Sequence, residues 1–300
     1  MLFLRGLAAV LLPALVAVIV PPTAGAATRD VWVGAVPQTW NAVPNARDAI
    51  HGTRFDVAQT TFPTVVYKRY TKDWKRPLRG GIPGPLIRAR VGDKLRIHFK
   101  NLDTLYGHEH SMHFHGVEYR PSSDGVYLPL HSGEGGRVKP GRHFTYELTA
   151  GPGSAGVWPY HDHSTSMEES IAGGMFGVLS IAGRHELRAD REFVVAFAPW
   201  HGFQTIDGRA FVGNTPVFES HVGDSVQWDV IAMGDEFHTF HVHGHRWRTD
   251  GGTPEDTRGL GPAESFRVRW NEDAPGTWLY HCHVETHMAQ GMIGLYRVRP

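Results

Sequence analysis

Four short motifs occur twice in this chain of 300 residues, and both sets run in the same order. They read Val-Gly-Asp, His-x-His-Gly, Tyr-His-x-His and Gly-Met-x-Gly. The first copies lie at 91–93, 113–116, 160–163 and 174–177, and the second copies at 222–224, 241–244, 280–283 and 291–294. Such a repeat predicts two copies of one structural unit, joined around Gly183 to Asp190.

Short segments with alternating apolar and polar residues run through both copies, for example Lys94 to Phe99 and Phe144 to Leu148. Turn residues separate them, and the chain contains 35 Gly and 20 Pro. Alternation of this kind predicts half-buried strands, whereas a helical period of 3.6 residues is scarce. We therefore expect an all-β chain of two tandem antiparallel β-sandwiches.

Composition and charge exclude several classes of protein. Hydrophobic residues make up 41% of the chain and charged residues 20%, which is enough for an ordinary core. Lys+Arg and Asp+Glu both number 30, so neither a nucleic acid nor a membrane surface is an expected partner. Cys282 is the single cysteine, and it cannot form a disulfide within the chain.

The first 26 residues have the pattern of an export signal. Arg5 precedes an apolar stretch from Leu7 to Val20, and Ala24-Gly25-Ala26 fits a cleavage site. The stretch is shorter than the ~20 residues that span a bilayer, although an uncleaved anchor is the alternative. We expect a secreted protein, extracellular or periplasmic, whose two domains occupy residues 27–185 and 186–300.

Each copy of the repeat contains two His-x-His pairs. Residues i and i+2 of a strand point to the same face, so each pair directs two imidazoles towards one point. Imidazole is a ligand for copper, zinc, iron and nickel, and eight imidazoles exceed the needs of one mononuclear centre. The sequence therefore predicts a metal cluster. Its candidate ligands are His113, His115, His161, His163, His241, His243, His281 and His283.

The C-terminal segment contains a second ligand set. Cys282 is followed by His287 and Met292, and His238 lies upstream. Two imidazoles, a thiolate and a weak axial thioether are diagnostic of a blue-copper electron-transfer site. Because Cys282 lies between His281 and His283, an electron entering at the blue site would have a through-bond path to the cluster.

These motifs resemble those of multicopper oxidases, and the length resembles that of the two-domain bacterial laccases, over roughly Pro83 to Arg299. The resemblance implies Greek-key cupredoxin-like domains and four coppers per chain. It assigns the type 1 copper to His238, Cys282, His287 and Met292, and the type 2 copper to His113 and His241. It assigns the two type 3 coppers to His115, His161, His163, His243, His281 and His283. Asp162 stands in the first copy where Cys282 stands in the second, so only the second domain is expected to hold a blue site.

The resemblance also implies a function, namely the oxidation of phenolic or similar small reductants coupled to the four-electron reduction of dioxygen to water. That reaction consumes protons, and Asp124 matches an acid that conducts them in such enzymes, although an ordinary Asp-Gly turn is the alternative. Tyr119 matches a tyrosine close to the cluster. The expected catalytic residues are thus Asp124, Tyr119 and Cys282.

The cluster takes four histidines from each copy, so it requires an interface between a first and a second domain. One chain could close that interface within itself, or neighbouring chains could close it head to tail in a ring. The pattern alone does not choose between these arrangements. The related laccases are homotrimers with clusters shared between subunits, which implies a homotrimer here.

Three other functions remain open at this stage: a copper nitrite reductase, a Cu(I) or Fe(II) metallo-oxidase, and a copper-binding electron-transfer protein without catalytic activity. A nitrite reductase places its blue site in the first domain, and a metallo-oxidase tends to have Met-rich loops. Among the remaining histidines, His108 and His110 form a fifth pair, expected in a surface loop. His245 is expected to be structural.

Overall fold

The computed structural model describes residues 26–78, 80–130, 133–249 and 251–300. Residues 1–25, which make up most of the predicted export signal, lie outside the described residues. No helix in the described part of the chain is long and apolar enough to cross a membrane. Strands dominate, as predicted, and they form two consecutive β-sandwiches.

The described residues of the first sandwich form nine strands and two short α-helices. Its strands are β1 (Thr28–Asn41), β2 (Thr61–Tyr70), β3 (Ile87–Arg90), β4 (Lys94–Asn101), β5 (His113–Phe114), β6 (Glu118–Tyr119), β7 (His143–Thr149), β8 (Gly156–His161) and β9 (Phe176–Ala182). Its α-helices are α1 (Val57–Thr60) and α2 (Met167–Ala172), and 3₁₀ turns lie at Lys72–Trp74, Pro121–Ser123 and Glu134–Gly136. One sheet has the order β2-β1-β4-β7-β6 and the other β3-β9-β8-β5.

The second sandwich repeats this plan. Its strands are β10 (Arg191–Trp200), β11 (Phe203–Ile206), β12 (Val217–His221), β13 (Ser225–Ala232), β14 (His238–Val242), β15 (Trp247–Arg248), β16 (Pro254–Glu255), β17 (Thr257–Leu260), β18 (Ser265–Asn271), β19 (Gly276–Cys282) and β20 (Ile293–Arg299), and its helix is α3 (Glu285–Ala289). One sheet has the order β11-β10-β13-β18 and the other β12-β20-β19-β14-β17. The pair β15-β16 stands apart.

Strand β4 shows why the alternating segments become strands. Leu95, Ile97 and Phe99 are buried in the core of the first sandwich, whereas the alternating residues Lys94 and Arg96 are exposed. Strand β13 departs from this pattern, because all its residues after Ser225 are buried. One of its faces lines the core of its own sandwich, and the other is covered by the first sandwich.

An apolar interface joins the two sandwiches. Phe176 and Val178 of β9 belong to the same buried cluster as Ala196 of β10 and Ile231 of β13. Strand β8 packs against β13 and β18, and the Ser265 hydroxyl donates a hydrogen bond to the Val157 carbonyl (2.6 Å). Because the interface is apolar and packed, it holds the two sandwiches in one fixed arrangement.

Arg267 of β18 ties the two sandwiches together by polar contacts. Its guanidinium pairs with the Asp229 carboxylate (2.7 Å) and donates to the Ser180 hydroxyl (2.7 Å) and to the carbonyls of Gly156 and Ile181 (both 3.1 Å). The Asp229 side chain is 3% exposed, so Arg267 supplies the counter-charge of a buried carboxylate.

We expect Arg267→Met to lower the free energy of unfolding by about 3–5 kcal/mol, because it leaves a buried carboxylate without its counter-charge. Guanidinium denaturation of the metal-free protein measures the loss. Arg297→Met is the matched control, since its ion pair with Glu219 is exposed, and it should cost about 0–1 kcal/mol. Equal losses for the two variants would contradict the role of Arg267.

Candidate metal centres

The first sandwich brings four imidazoles together where β5 and β8 pair. His113 lies opposite His161 in the antiparallel register, and their ring centroids are 5.4 Å apart. The Nε2 atoms of His115 and His161 are 3.1 Å apart, and the ring centroid of His163 is 5.4 Å from that of His113. Strand alternation and cross-strand pairing thus gather the two His-x-His pairs into one group.

The second sandwich repeats the arrangement with β14 and β19. His241 lies opposite His281, with ring centroids 5.4 Å apart, and the Nε2 atoms of His243 and His281 are 3.1 Å apart. The ring centroid of His283 is 5.5 Å from that of His241. The distances in the two groups agree closely, so the sequence repeat is also a repeat of site geometry.

Burial keeps imidazoles of both groups in the form that binds metals. Desolvation lowers the pKa of His115 and of His161 to about 4, and it does the same for His281. Neighbouring imidazoles contribute to the shift, because a second positive charge nearby is unfavourable. These side chains are therefore neutral at neutral pH, as a metal ligand has to be.

A third group consists of His238, Cys282 and His287. The Nδ1 atoms of the two histidines lie 3.2 Å apart, and they are 3.9 and 3.7 Å from Cys282 Sγ. The Thr239 amide donates a hydrogen bond to the sulfur (3.3 Å). Desolvation lowers the pKa of His238 to about 4.

Met292 completes the surroundings of this group. It is fully buried, its amide donates to the His287 carbonyl (3.0 Å), and its carbonyl accepts from the Cys282 amide (3.1 Å). Three donor atoms 3–4 Å apart can all reach one ion at about 2 Å. A thiolate and two imidazoles at this spacing fit copper, and Met292 belongs to the same buried cluster as Cys282.

The two groups of four imidazoles do not meet within the chain. Among the described residues no ring contact or hydrogen bond joins one group to the other. Each set of closely spaced metal-binding side chains comes from one sandwich. In the second group His243 and His283 are exposed to solvent. Of the two closures left open by the sequence, the described residues do not form the closure within one chain. Each chain carries two separate groups, which we call the first half-site (His113, His115, His161 and His163) and the second half-site (His241, His243, His281 and His283).

Asp124 and Tyr119 both lie beside His113. The His113 Nδ1–H donates to the Asp124 backbone carbonyl (2.7 Å), and an Asp124 carboxylate oxygen is 3.3 Å from the same nitrogen. The Tyr119 ring is 6.1 Å from the His113 ring in an edge-on contact. Desolvation, together with the Asp124 charge and a hydrogen bond to it, raises the pKa of Tyr119 to about 12.

Three residues of these sites were not predicted from the sequence. The Asp256 carbonyl accepts from His241 Nδ1 (2.7 Å), as the Asp124 carbonyl does from His113. The Glu236 carboxylate lies 3.0 Å from His287 Nε2. The third is His110, for which a surface loop was expected. That expectation is wrong, because His110 is 1% exposed. The signal was present, since His110 precedes His113 as His238 precedes His241.

His245 is structural, in line with expectation. Its Nδ1 is bonded to the His243 carbonyl (2.7 Å), and its Nε2 lies 3.0 Å from Glu272 Oε1. Glu272 also accepts from the Trp270 indole (3.0 Å) and from the Tyr296 hydroxyl. These contacts lower the pKa of Glu272 to about 2 against the opposing effect of its burial. Burial acts to lower the pKa of His245, but the hydrogen bonds to Glu272 and to the His243 carbonyl raise it overall.

The fold and the three histidine groups together define a two-domain cupredoxin-like protein with ligands for copper. Two family models, both described as multicopper oxidase, match residues 64–186 and 186–300. The chain belongs to the multicopper oxidase family.

Similar proteins include enzymes with different substrates. The ferroxidase HEPHL1 of Mus musculus is 29% identical over an alignment that covers 91% of this chain and 29% of that protein. A probable nitrite reductase-hydroxylamine oxidoreductase fusion protein of Kuenenia stuttgartiensis is 32% identical over 75% of this chain and 29% of its own length. This chain therefore spans less than a third of these relatives. The crystal structure of a blue copper oxidase from Nitrosomonas europaea has the same fold (TM-score 0.72, 24% identity, 90% of this chain and 86% of that one).

Replacing Cys282 by serine should remove one copper and leave the others, because it deletes the thiolate of the third group and no ligand of the two half-sites. We expect the intense blue absorption to disappear while the type 2 electron paramagnetic resonance signal persists. Absorption spectra, resonance spectra and metal analysis of the copper-loaded protein measure this. Loss of all copper together would contradict separate sites.

Proposed function

We propose that the protein is a laccase-type oxidase that couples oxidation of small phenolic reductants to the reduction of dioxygen to water. The observation that carries this proposal is that β19 serves two sites, since Cys282 belongs to the third group while His281 and His283 beside it belong to a half-site. Four bound coppers per chain would supply single-electron oxidation of the reductant at the third group and dioxygen reduction at the half-sites.

The reductant would reach the third group beside His287. This imidazole is 12% exposed, and its Nε2 lies 3.0 Å from the Glu236 carboxylate, which is 45% exposed. Phe237, the next residue in the chain, is 58% exposed. An accessible aromatic ring next to an accessible carboxylate suits a phenol, whose ring can stack and whose hydroxyl can donate to the carboxylate.

The same carboxylate supports a second candidate reductant, the ferrous ion. Glu236 could bind a cation next to His287, and relatives named ferroxidase are among the similar proteins. Within the described residues, however, the closely spaced groups of metal-binding side chains do not include Glu236. Because Glu236 belongs to no such group, the exposed aromatic residue next to it favours the phenol.

Asp124 and Tyr119 are proposed to act at the first half-site. The Asp124 carboxylate is a third exposed and lies next to His113, so it connects the half-site to solvent and can pass protons inwards. Tyr119 keeps its proton at neutral pH because its pKa is raised to about 12. Its ring is in edge-on contact with the His113 ring, so Tyr119 could pass one electron to a metal held there while the Asp124 carboxylate accepts the hydroxyl proton.

We expect the copper-loaded protein to consume dioxygen with 2,6-dimethoxyphenol faster than with Fe(II), and to produce no nitric oxide from nitrite under anaerobic conditions. Glu236→Gln should lower kcat/KM for the phenol about tenfold, because a charged hydrogen-bond acceptor is lost. Glu285→Gln, an exposed carboxylate in α3, is the control. A loss confined to Fe(II) would favour the metallo-oxidase, and no dioxygen uptake with either donor would favour an electron carrier.

We further propose that the half-sites are completed between chains in a homotrimer, and that the protein is exported. The exposure of His243 and His283 supports the first proposal, because imidazoles meant to share metals stand open to solvent in a single chain. A head-to-tail ring would pair the first half-site of one copy with the second half-site of the next. The first 26 residues support export.

Two inactive variants test the shared site. His115→Ala breaks the first half-site and His243→Ala the second, so each homotrimer should lack dioxygen reduction. When both chains are co-expressed and assemble at random, about a quarter of the interfaces combine two intact halves, and about a quarter of the activity should return. The mass of the assembly gives the number of copies. Mixed oligomers without recovered activity would show that the site is not shared.

A further inference from the structure

The first sandwich contains the full backbone of a blue-copper site. The four positions of the third group have counterparts there, with His110 for His238, Asp162 for Cys282, Ser170 for His287 and Met175 for Met292. The Asp162 amide donates to the Met175 carbonyl (3.1 Å), as the Cys282 amide does to the Met292 carbonyl (3.1 Å). The Met175 amide donates to the Ser170 carbonyl (2.8 Å), as the Met292 amide does to the His287 carbonyl (3.0 Å).

Side-chain contacts follow the same correspondence. The Ser111 amide donates to the Asp162 carboxylate (2.8 Å), where in the second sandwich the Thr239 amide donates to Cys282 Sγ (3.3 Å). The hydroxyls of Ser111 and Thr239 accept from the amides of His163 and His283, at 3.0 and 2.9 Å. Two of the four ligands have been exchanged, while the surrounding geometry is the same.

An ion pair fills the place of the metal. His110 Nδ1 lies 2.8 Å from the Asp162 carboxylate, and its Nε2 lies 3.3 Å from the Asp103 carboxylate. The His110 side chain is 2% exposed and both carboxylates are fully buried. Asp162 also accepts from the amide and the hydroxyl of Ser164, both at 3.1 Å. With both ring nitrogens bonded to carboxylates, His110 has no lone pair to offer a metal.

We propose that the Asp162–His110 pair takes over, in the first domain, the linking role that copper has in the second. Asp162 lies between His161 and His163 in the chain, and its bonds to His110 and Ser111 fix the segment that leads into His113 and His115. Asp162 is thus a positioning residue that holds the first half-site in its binding geometry without metal. The inference rests on the proposed copper sites, but its first test uses metal-free protein.

Hydrogen exchange of the wild-type protein gives that first test. In the metal-free state, amides at 110–112 and 164–166, which flank the first half-site, should already exchange about as slowly as in the copper-loaded state. Amides at 238–240 and 284–292, which flank the second half-site, should slow by about tenfold or more on loading, because their link is the metal itself. First-domain segments that also need copper for protection would overturn the proposal, whatever the enzyme's substrate is.

Asp162→Asn removes the charge at nearly constant volume. We expect amides at 110–115 to exchange about tenfold faster and the type 2 resonance signal to broaden, while the blue absorption of Cys282 stays unchanged. Asp48→Asn is the matched control, since Asp48 is a buried carboxylate bonded to His51 (2.7 Å) and takes no part in the metal sites. An unchanged type 2 signal in Asp162→Asn, or the same broadening in Asp48→Asn, would contradict a positioning role.

The double variant Asp162→Cys/Ser170→His restores the exchanged ligands and tests the correspondence directly. His110, Ser170 and Met175 line a pocket of about 380 Å³, which leaves room for the larger side chain at 170. Loading with Cu(II) should add one copper per chain and about double the blue absorption, and it should restore slow exchange at 110–115. A double variant that folds but shows no second blue band would refute the correspondence between the two sites.

Discussion

The pairing of two antiparallel strands that each carry a His-x-His segment is the constraint on which this structure depends. Alternation along a strand puts both imidazoles of a pair on one side, and the cross-strand register sets His113 opposite His161 and His241 opposite His281. Burial then removes the proton that would repel a metal. The sandwich behind these strands serves to keep the register fixed, because a shift by one residue would turn the ligands to the other face.

Much of this could be read from the sequence. The repeat predicted two similar β-sandwiches, and the spacing of the motifs identified the residues that the structure gathers into three groups. Glu236 and Asp256 escaped prediction because their roles depend on loop conformations that bring a carboxylate or a carbonyl to an imidazole. The double burial of β13 also escaped, since alternation describes one sandwich and not the surface that a second sandwich covers.

His110 shows a different limit. Identical motifs do not reveal a position where histidine is retained while its partners differ between the two copies. In the sequence, Asp162 in place of Cys282 indicates only the loss of a ligand. The structure shows that the position was put to another use, as a buried carboxylate that binds an imidazole. Divergent copies of a repeat are best compared by backbone contacts, which changed less than the side chains.

The packed interface between the sandwiches has a consequence for assembly. Because Arg267 and the apolar cluster hold the two sandwiches in one arrangement, the two half-sites of a chain point in directions that differ by a constant angle. In a head-to-tail ring each copy is rotated by that angle relative to the one before it. The number of subunits is the number of such rotations that add up to one full turn. The packing between the two sandwiches of one chain would in this way determine the number of chains in the oligomer.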